Sequence, residues 1–465
     1  MNAWARAACT TLALSGIGLL MASPINDPDL WWLLRGGRYM VETRSFPTTD
    51  PFSASAAGAL WVNHAWGFEL LLYGVYRVAG VTGLIGMQVL FAVATFGLLY
   101  RLLRREGVGQ GWAWLVIGLG AVATRGFWSP RPQLVTYLCL AVLWAVLRGY
   151  RDGRTDHLLW LPPLTLVWAN LHGGFMLSPA LIALCLVVEV AALAFRGAAP
   201  TLGGQRLPRL AVIGVGCVAA TFVTPFHYRA VLFPFQVMGD RLAKSMIIEW
   251  ASPPFRHPQA MVLEGLVLAT LVLLLLTPRP AAFSDLAVLV VFVHLAFQSR
   301  RNVPLLVILL TPILGRLLAE SFAGRVADRA VPGWLRQRGG AVALAAALLP
   351  VVVWAAWPLR PLRELVPRMG IAEVFPAQAV EFLKHEPRAG ALFNDYDWGG
   401  YLIWHLFPQY RVWIDGRAAV YGPRLLSEHA EVDEVRPRWR QALDRSGVGL
   451  ALIRARSTLD RKSVV

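Results

Sequence analysis

The feature that most constrains this chain is a succession of long apolar runs separated by short, arginine-bearing breaks. They lie near residues 7–23, 82–103, 111–124, 132–149, 157–170, 174–195, 209–224, 260–276, 283–298, 303–320 and 340–357. Crossing a hydrocarbon layer takes about 20 apolar helical residues, because each backbone polar group must be satisfied inside the segment. The runs predict an α-helical polytopic membrane protein with about eleven transmembrane helices over 1–357 and a small aqueous tail over 358–465. Composition agrees: 56% of residues are hydrophobic and 15% charged, against about 25% charged in soluble domains. A disordered chain, a disulfide scaffold and a single soluble enzyme domain are excluded.

The net charge of +16 does not point to nucleic acid, because most of the cations sit in short loops between the runs, where they set topology. With the N-terminus inside, sixteen loop cations fall on the cytoplasmic side and eleven, spread over longer loops, on the other. That bias predicts a cytoplasmic N-terminus, with a first outer loop (24–66), a second outer loop (225–259) and the tail all extracytoplasmic. The first run is read as an uncleaved helix, although "LMASP" after it also suits a signal-peptide cleavage site. Cys9, Cys139, Cys185 and Cys217 all lie in apolar runs without metal or redox spacing and read as packing residues.

The first outer loop opens with Asp27 and Asp29 around Pro28, followed by helical apolar spacing from Leu30 to Val41 that begins with Trp31 and Trp32. An amphipathic helix with tryptophans at one end is expected to lie in the membrane interface. The two carboxylates admit two readings. They cap the helix and complement its dipole, or one serves as base towards an attacking hydroxyl. Asp50 in "TTDPFS" reads as a turn residue.

One helix, an acidic residue opening a long outer loop, many further spans and an external tail together resemble the GT-C class of membrane glycosyltransferases. That class includes the protein mannosyltransferases, the oligosaccharyltransferases and the bacterial lipid A aminoarabinose transferases. The motifs "DPDLWW", "FPTTDPFS", "WVNHAW", "WANLHGGF", "RNVPL", "NDYDWGGYLIW" and "DGR" resemble a bacterial group of membrane proteins related to that class. The resemblance spans nearly the whole chain. It implies that Asp29, with Asp27 second, acts as base or orients the acceptor. The group often carries a His after the paired Trp, where this chain has Leu33.

Further candidates lie at the ends of the runs. "WANLHGGF" places Trp168, Asn170 and His172 at an outer helix end, either as a polar ledge for a sugar or phosphate or as an interfacial Trp with a solvated His. Arg300 and Arg301 break an apolar run; a paired guanidinium suits the phosphate of a polyprenyl donor, and equally a phospholipid headgroup. Arg125 and Arg131, flanking "GFWSP", are weaker candidates of the same kind. Glu249, in the second outer loop, is expected to border the cleft with Trp31 and Trp32. No cofactor is expected. A divalent cation held by Asp27, Asp29 and Glu249 is the one arrangement that would accept a metal, since no metalloprotease-type spacing occurs.

In the tail, "AQAVEFLKHE", "GGYLIWHLF" and "RWRQALDRSG" read as helices, and "ALFN", "YRVWID" and "GLALIR" as strands of a small parallel sheet. Loops at the carboxyl ends of such strands bind ligands, which nominates Asp395 and Asp397 together with Asp415 and Arg417. The last two also suit a structural ion pair. The leading expectation is a glycosyltransferase of the bacterial inner membrane that moves a sugar from a polyprenyl-phosphate-linked donor to an extracytoplasmic glycan, lipid or protein acceptor. A multi-pass transporter is the rival, weakened by the lack of an inverted repeat. A non-catalytic surface-polysaccharide assembly protein is the third reading, suggested by Leu33.

Overall fold

The computed structural model describes residues 3–194, 206–239, 241–277, 281–323 and 374–463. Up to residue 323 the helices are α1 (Ala3–Met21), α2 (Asp29–Thr43), α3 (Trp66–Arg105), α4 (Gln110–Thr124), α5 (Gln133–Arg151), α6 (Leu161–Leu171), α7 (Leu177–Ala194), α8 (Arg206–Thr221), α9 (Tyr228–Gly239), α10 (Arg241–Met246), α11 (Pro258–Leu276), α12 (Phe283–Gln298) and α13 (Val303–Ala323). Apart from α2, α9 and α10, which belong to the outer loops, these helices coincide with the first ten expected spans. Among the described residues, five stretches are long and apolar enough to cross a membrane: α3, α5, Gly173–Leu193, α11 and Arg300–Ser321. The stretches Arg6–Met21, Leu158–Leu171 and Phe283–Gln298 are shorter apolar helices. The eleventh expected span, 340–357, lies outside the described residues.

Local chemistry sets several of the boundaries. Two prolines stand in the first turn of α6, where their missing N–H groups need no partner, and the helix stops as His172 turns extended at φ −162°. His172 therefore lies just beyond the helix that carries Trp168. α2 ends at Arg44, in the left-handed region at φ 53°. In the second outer loop, α9 leaves Tyr228, Leu232, Phe235 and Met238 exposed along its length, the unburied apolar stripe expected of an interface helix.

α2 differs from its expectation. It does not lie on the lipid: Leu30, Trp31, Leu33 and Leu34 are all buried, and the helix packs between α3 and the tail helix Gly399–Leu406. The pair Gly36 and Gly37 makes this possible, since a side-chain carbon at Gly37 would stand 2.2 Å from the backbone oxygen of Glu69. The helical apolar spacing was read correctly, but its partner is protein rather than headgroups.

At the end of the bundle away from α2, Asp285 on α12 accepts from Arg148 (3.0 Å) and Arg151 (2.6 Å) of α5 and Arg316 (3.1 Å) of α13. Arg148 also forks onto Glu106 at 2.7 and 2.8 Å. Asp285 is fully buried, so removing it would strand several guanidinium groups in low dielectric, a loss of about 3–5 kcal/mol.

The tail contains helices Ala377–His385, Gly399–Leu406, Ala418–Asp433, Trp439–Arg445 and Thr458–Ser463, with strands β1 (Ala391–Asn394) and β2 (Val448–Leu452) paired in parallel. "YRVWID" was expected as a third strand but makes only single parallel bridges, Val412 with Leu392 and with Ser53. The Asn394 side chain supplies the reason: its amide donates to the Ile414 carbonyl at 2.8 Å and its oxygen accepts from the Trp413 amide at 2.8 Å. A side chain thus takes the place of the backbone ladder. The first outer loop completes this layer, with the Ala54 amide donating to the Val412 carbonyl at 2.8 Å.

Candidate active site

Asp27, Asp29, Arg131 and Glu249, widely separated in sequence, converge where the start of α2, the α4–α5 connection and the second outer loop meet. The Asp29 amide donates to Asp27 Oδ1 at 3.0 Å, so Asp27 does hold the start of α2 as the capping reading required. Asp27 Oδ2 accepts from Ser129 Oγ at 2.8 Å and lies 3.4 Å from the Arg131 guanidinium. Arg131 also pairs with Asp29 Oδ2 and with Glu249 Oε1. The remaining oxygen of Asp29 accepts from Trp32 Nε1 at 3.0 Å.

The tail closes one side. Gly416 backs onto Asp29 so tightly that an added side-chain carbon would stand 1.9 Å from Asp29 Oδ1. Only the absence of a Cβ allows this approach, which is a physical reason for the glycine in "DGR". Side-chain exposures of 18% for Asp29, 16% for Arg131 and 29% for Glu249 leave the cluster partly open, so a small group can reach it.

Burial raises the Asp29 carboxyl, Arg131 opposes the rise, and Asp27 adds to it, leaving a pKa of about 6 against an ordinary 3.8. Burial also pushes Glu249 upward, but Arg131 and Arg301 outweigh it and hold that carboxyl below its usual value. Burial alone would lower Arg131; the three carboxylates outweigh it and keep the guanidinium well above its ordinary pKa. Asp29 is poised to exchange a proton near neutral pH.

Arg300 and Arg301 lie on a one-turn 3-10 helix (Arg300–Asn302) fastened to the second outer loop. The Arg300 amide donates to the Ala251 carbonyl and Ser299 Oγ to the Glu249 carbonyl, both at 2.9 Å. The Arg301 guanidinium lies 4.3 Å from the centre of the Trp250 ring. Trp250 directly follows Glu249, and the Arg301 charge acts on the Glu249 carboxyl, so this cation stands beside the acidic cluster. Arg125 sits on another one-turn helix (Arg125–Phe127) and burial lowers its pKa. Arg131 is the member of that pair that stands among the carboxylates.

The "WANLHGGF" residues form an adjacent polar layer. Thr136 Oγ accepts from Trp168 Nε1 at 2.8 Å and also bonds His172 Nδ1, which accepts from the Gly174 amide at 3.3 Å. With Nδ1 accepting, the ring proton sits on Nε2. Burial holds His172 well below its usual pKa and His64 at about 4, so both imidazoles are neutral at pH 7. Their ring centres are 6.3 Å apart. Asn170 is not a ledge for a ligand. Its oxygen accepts from Trp66 Nε1 at 3.1 Å and its amide donates to the Leu166 and Val223 carbonyls at 2.9 Å.

Three further expectations are corrected or resolved. Trp31 is not part of a cleft; it is 1% exposed and packs edge-on against Tyr401 and Phe375. Asp415 and Arg417 take the structural alternative: Arg417 bonds Asp415 and reaches Asp50 at 2.7 Å, all three being buried, which staples the tail to the first outer loop. Asp50 also accepts from the Phe52 and Ser53 amides, the turn expected of it. Asp395 and Asp397 pair with Arg454 at 2.9 and 2.6 Å. Ser129, Tyr396 and Trp250 were not singled out from sequence. Tyr396 belongs with them because its phenol is raised well above its ordinary pKa by burial and then by the charges of Asp29 and Asp415.

The fold is similar to that of solved archaeal oligosaccharyltransferase structures. Over 97% of this chain and 69% of the other, it superposes on the archaeal oligosaccharyltransferase AglB from Archaeoglobus fulgidus, in complex with an inhibitory peptide and a dolichol-phosphate, with a TM-score of 0.63 and 11% identity. The apo form of the Archaeoglobus fulgidus oligosaccharyltransferase matches with a TM-score of 0.60 and 12% identity, over 96% of this chain and 69% of that one. No family model matches the sequence, and no curated protein matches it.

Proposed function

We propose that this chain is a membrane glycosyltransferase that moves a sugar from a polyprenyl-phosphate-linked donor to an extracytoplasmic acceptor, with Asp29 as base. The observation that carries the reading is the Asp29 carboxyl, raised to about 6 and partly open, paired with the Arg131 guanidinium. The acceptor hydroxyl gives its proton to Asp29 as its oxygen bonds the anomeric carbon of the sugar. The bond from that carbon to the donor phosphate oxygen breaks, and the phosphate leaves with the electron pair. Arg301 and Arg300 meet its charge. Arg131 holds Asp29 in place and keeps Glu249 ionised beside it. Gly416 and Tyr396 make the tail a wall of the acceptor side.

The dolichol-phosphate and peptide bound to the superposed oligosaccharyltransferase support a lipid-phosphate donor and an external acceptor. Support for orientation comes from the loop cations, which favour a cytoplasmic N-terminus with the site and tail outside. A divalent cation does not suit the carboxylates as they stand, because the Arg131 guanidinium already occupies the point on which Asp27, Asp29 and Glu249 converge. No step is routed through one. The donor assignment is tested with Arg300→Gln and Arg301→Gln in transfer assays over a panel of polyprenyl-phosphate sugars. The expected result is a donor KM raised about tenfold or more, one lost charge-assisted contact at roughly 1.5–3 kcal/mol. An unchanged donor KM in both variants would remove the phosphate from this position.

A further inference from the structure

At the end of the bundle away from the carboxylates, a cavity of about 120 Å³ opens between the last turns of α3 and α5. Leu98, Arg101, Leu102 and Arg105 line it from α3; their spacing of three, four and seven puts them on one helix face. Ala145 and Gly149 line it from α5, one turn apart, with the Thr155 side chain packed against Gly149, and Arg154 borders the far side. The lining is two-part: an apolar stretch towards the bundle interior and guanidinium groups at the mouth.

Charge balance at this mouth is incomplete. Arg101 and Arg105 are exposed, and neither has a carboxylate partner among the described residues. Glu106, the acid that lines the cavity, is forked by Arg148 through both oxygens at 2.7 and 2.8 Å, and Arg154 approaches the same carboxylate at 3.9 Å. Arg154 is held beside them by donating to the Arg105 carbonyl at 3.1 Å and pairing with Asp152. A preference for inward-facing cations explains arginines at this level of a membrane protein. It does not explain a cavity between them with leucine and alanine along its wall.

We propose that this groove binds an acidic phospholipid, its phosphate between Arg101, Arg105 and Arg154 and one acyl chain along Leu98, Leu102 and Ala145. A phosphate offers the oxygens that guanidinium forks match, and the apolar stretch favours a lipid over a free anion. The site is separate from the proposed donor site and does not depend on the glycosyltransferase reading.

The test is native mass spectrometry of the full chain released from nanodiscs of phosphatidylglycerol and phosphatidylcholine. Parent, Arg101→Gln/Arg105→Gln, Ala145→Leu and the control Arg6→Gln on α1 are compared. The parent and the control are expected to retain phosphatidylglycerol over phosphatidylcholine by tenfold or more. The double variant is expected to lose that preference while melting in lipid-free detergent like the parent, since the replaced side chains carry no ion pair. Ala145→Leu fills the groove with both arginines intact and is expected to lose it too. Parental retention by either variant overturns the proposal, as does displacement of phosphatidylglycerol from the parent by millimolar inorganic phosphate, which would mark a free-anion site.

Discussion

Replacing Gly416 with alanine tests whether the tail fixes the base. The new carbon would stand 1.9 Å from Asp29 Oδ1 and 3.1 Å from Trp32 Nε1, where real contacts of this kind do not fall below 3.0 Å. On the other side of Gly416 the backbone is anchored by the buried Asp415–Arg417 pair. The carboxylate is therefore the group that gives way, by about 1 Å, breaking from Trp32 and leaving its position opposite the acceptor. A misplacement of that size lowers a positioned reaction by about 10²-fold, equivalent to about 2.7 kcal/mol on the barrier. Single-turnover and steady-state transfer by purified Gly416→Ala should show the loss in kcat, with donor KM within about twofold of the parent. A kcat within twofold of the parent, in a variant that melts normally, would refute the claim that Gly416 sets the position of Asp29.

Three other outcomes follow from the same geometry. Asp29, raised to about 6 by burial against the pull of Arg131, is protonated below that value and ionised above it. Transfer kcat/KM should therefore rise about tenfold per unit as pH approaches about 6 from below and level off by about 7; a flat profile across that range contradicts the assignment. Asp285→Ala should destabilise the protein by about 3–5 kcal/mol in denaturant titrations in detergent, because three arginines lose their shared buried partner; a change below about 1 kcal/mol would mean that those arginines find other partners. Arg417→Met cuts the buried link between Asp415 and Asp50. It should expose the tail to limited proteolysis at protease levels the parent survives, and equal resistance would show that the strand and helix contacts suffice.

The apolar runs made most of the bundle legible, because spanning length and backbone satisfaction leave a helix little choice. Partners were harder to read. The periodicity of α2 was visible, yet Trp31 and Leu33 face protein, and only the Gly36–Gly37 pair hinted at a close helix neighbour. The helix Ala418–Asp433 was hidden by Gly422 and Pro423, which punctuate its interior; Gly422 takes φ 64° and the helix continues after the kink. Asp27, Asp29 and Glu249 stood out in sequence as carboxylates at outer helix ends, but their meeting on Arg131 depends on contacts more than a hundred residues apart. Nothing in local pattern distinguishes Arg131 from Arg125.

The most direct measurement compares wild-type protein with Asp29→Asn, both purified, for movement of labelled sugar from polyprenyl-phosphate donors to peptide, glycan and lipid acceptors. The predicted result is transfer by the wild type from at least one donor, and loss of about 10²–10⁴-fold in the variant with donor binding retained. Equal rates from the two proteins, or no transfer by folded wild-type protein with any donor, would contradict the account.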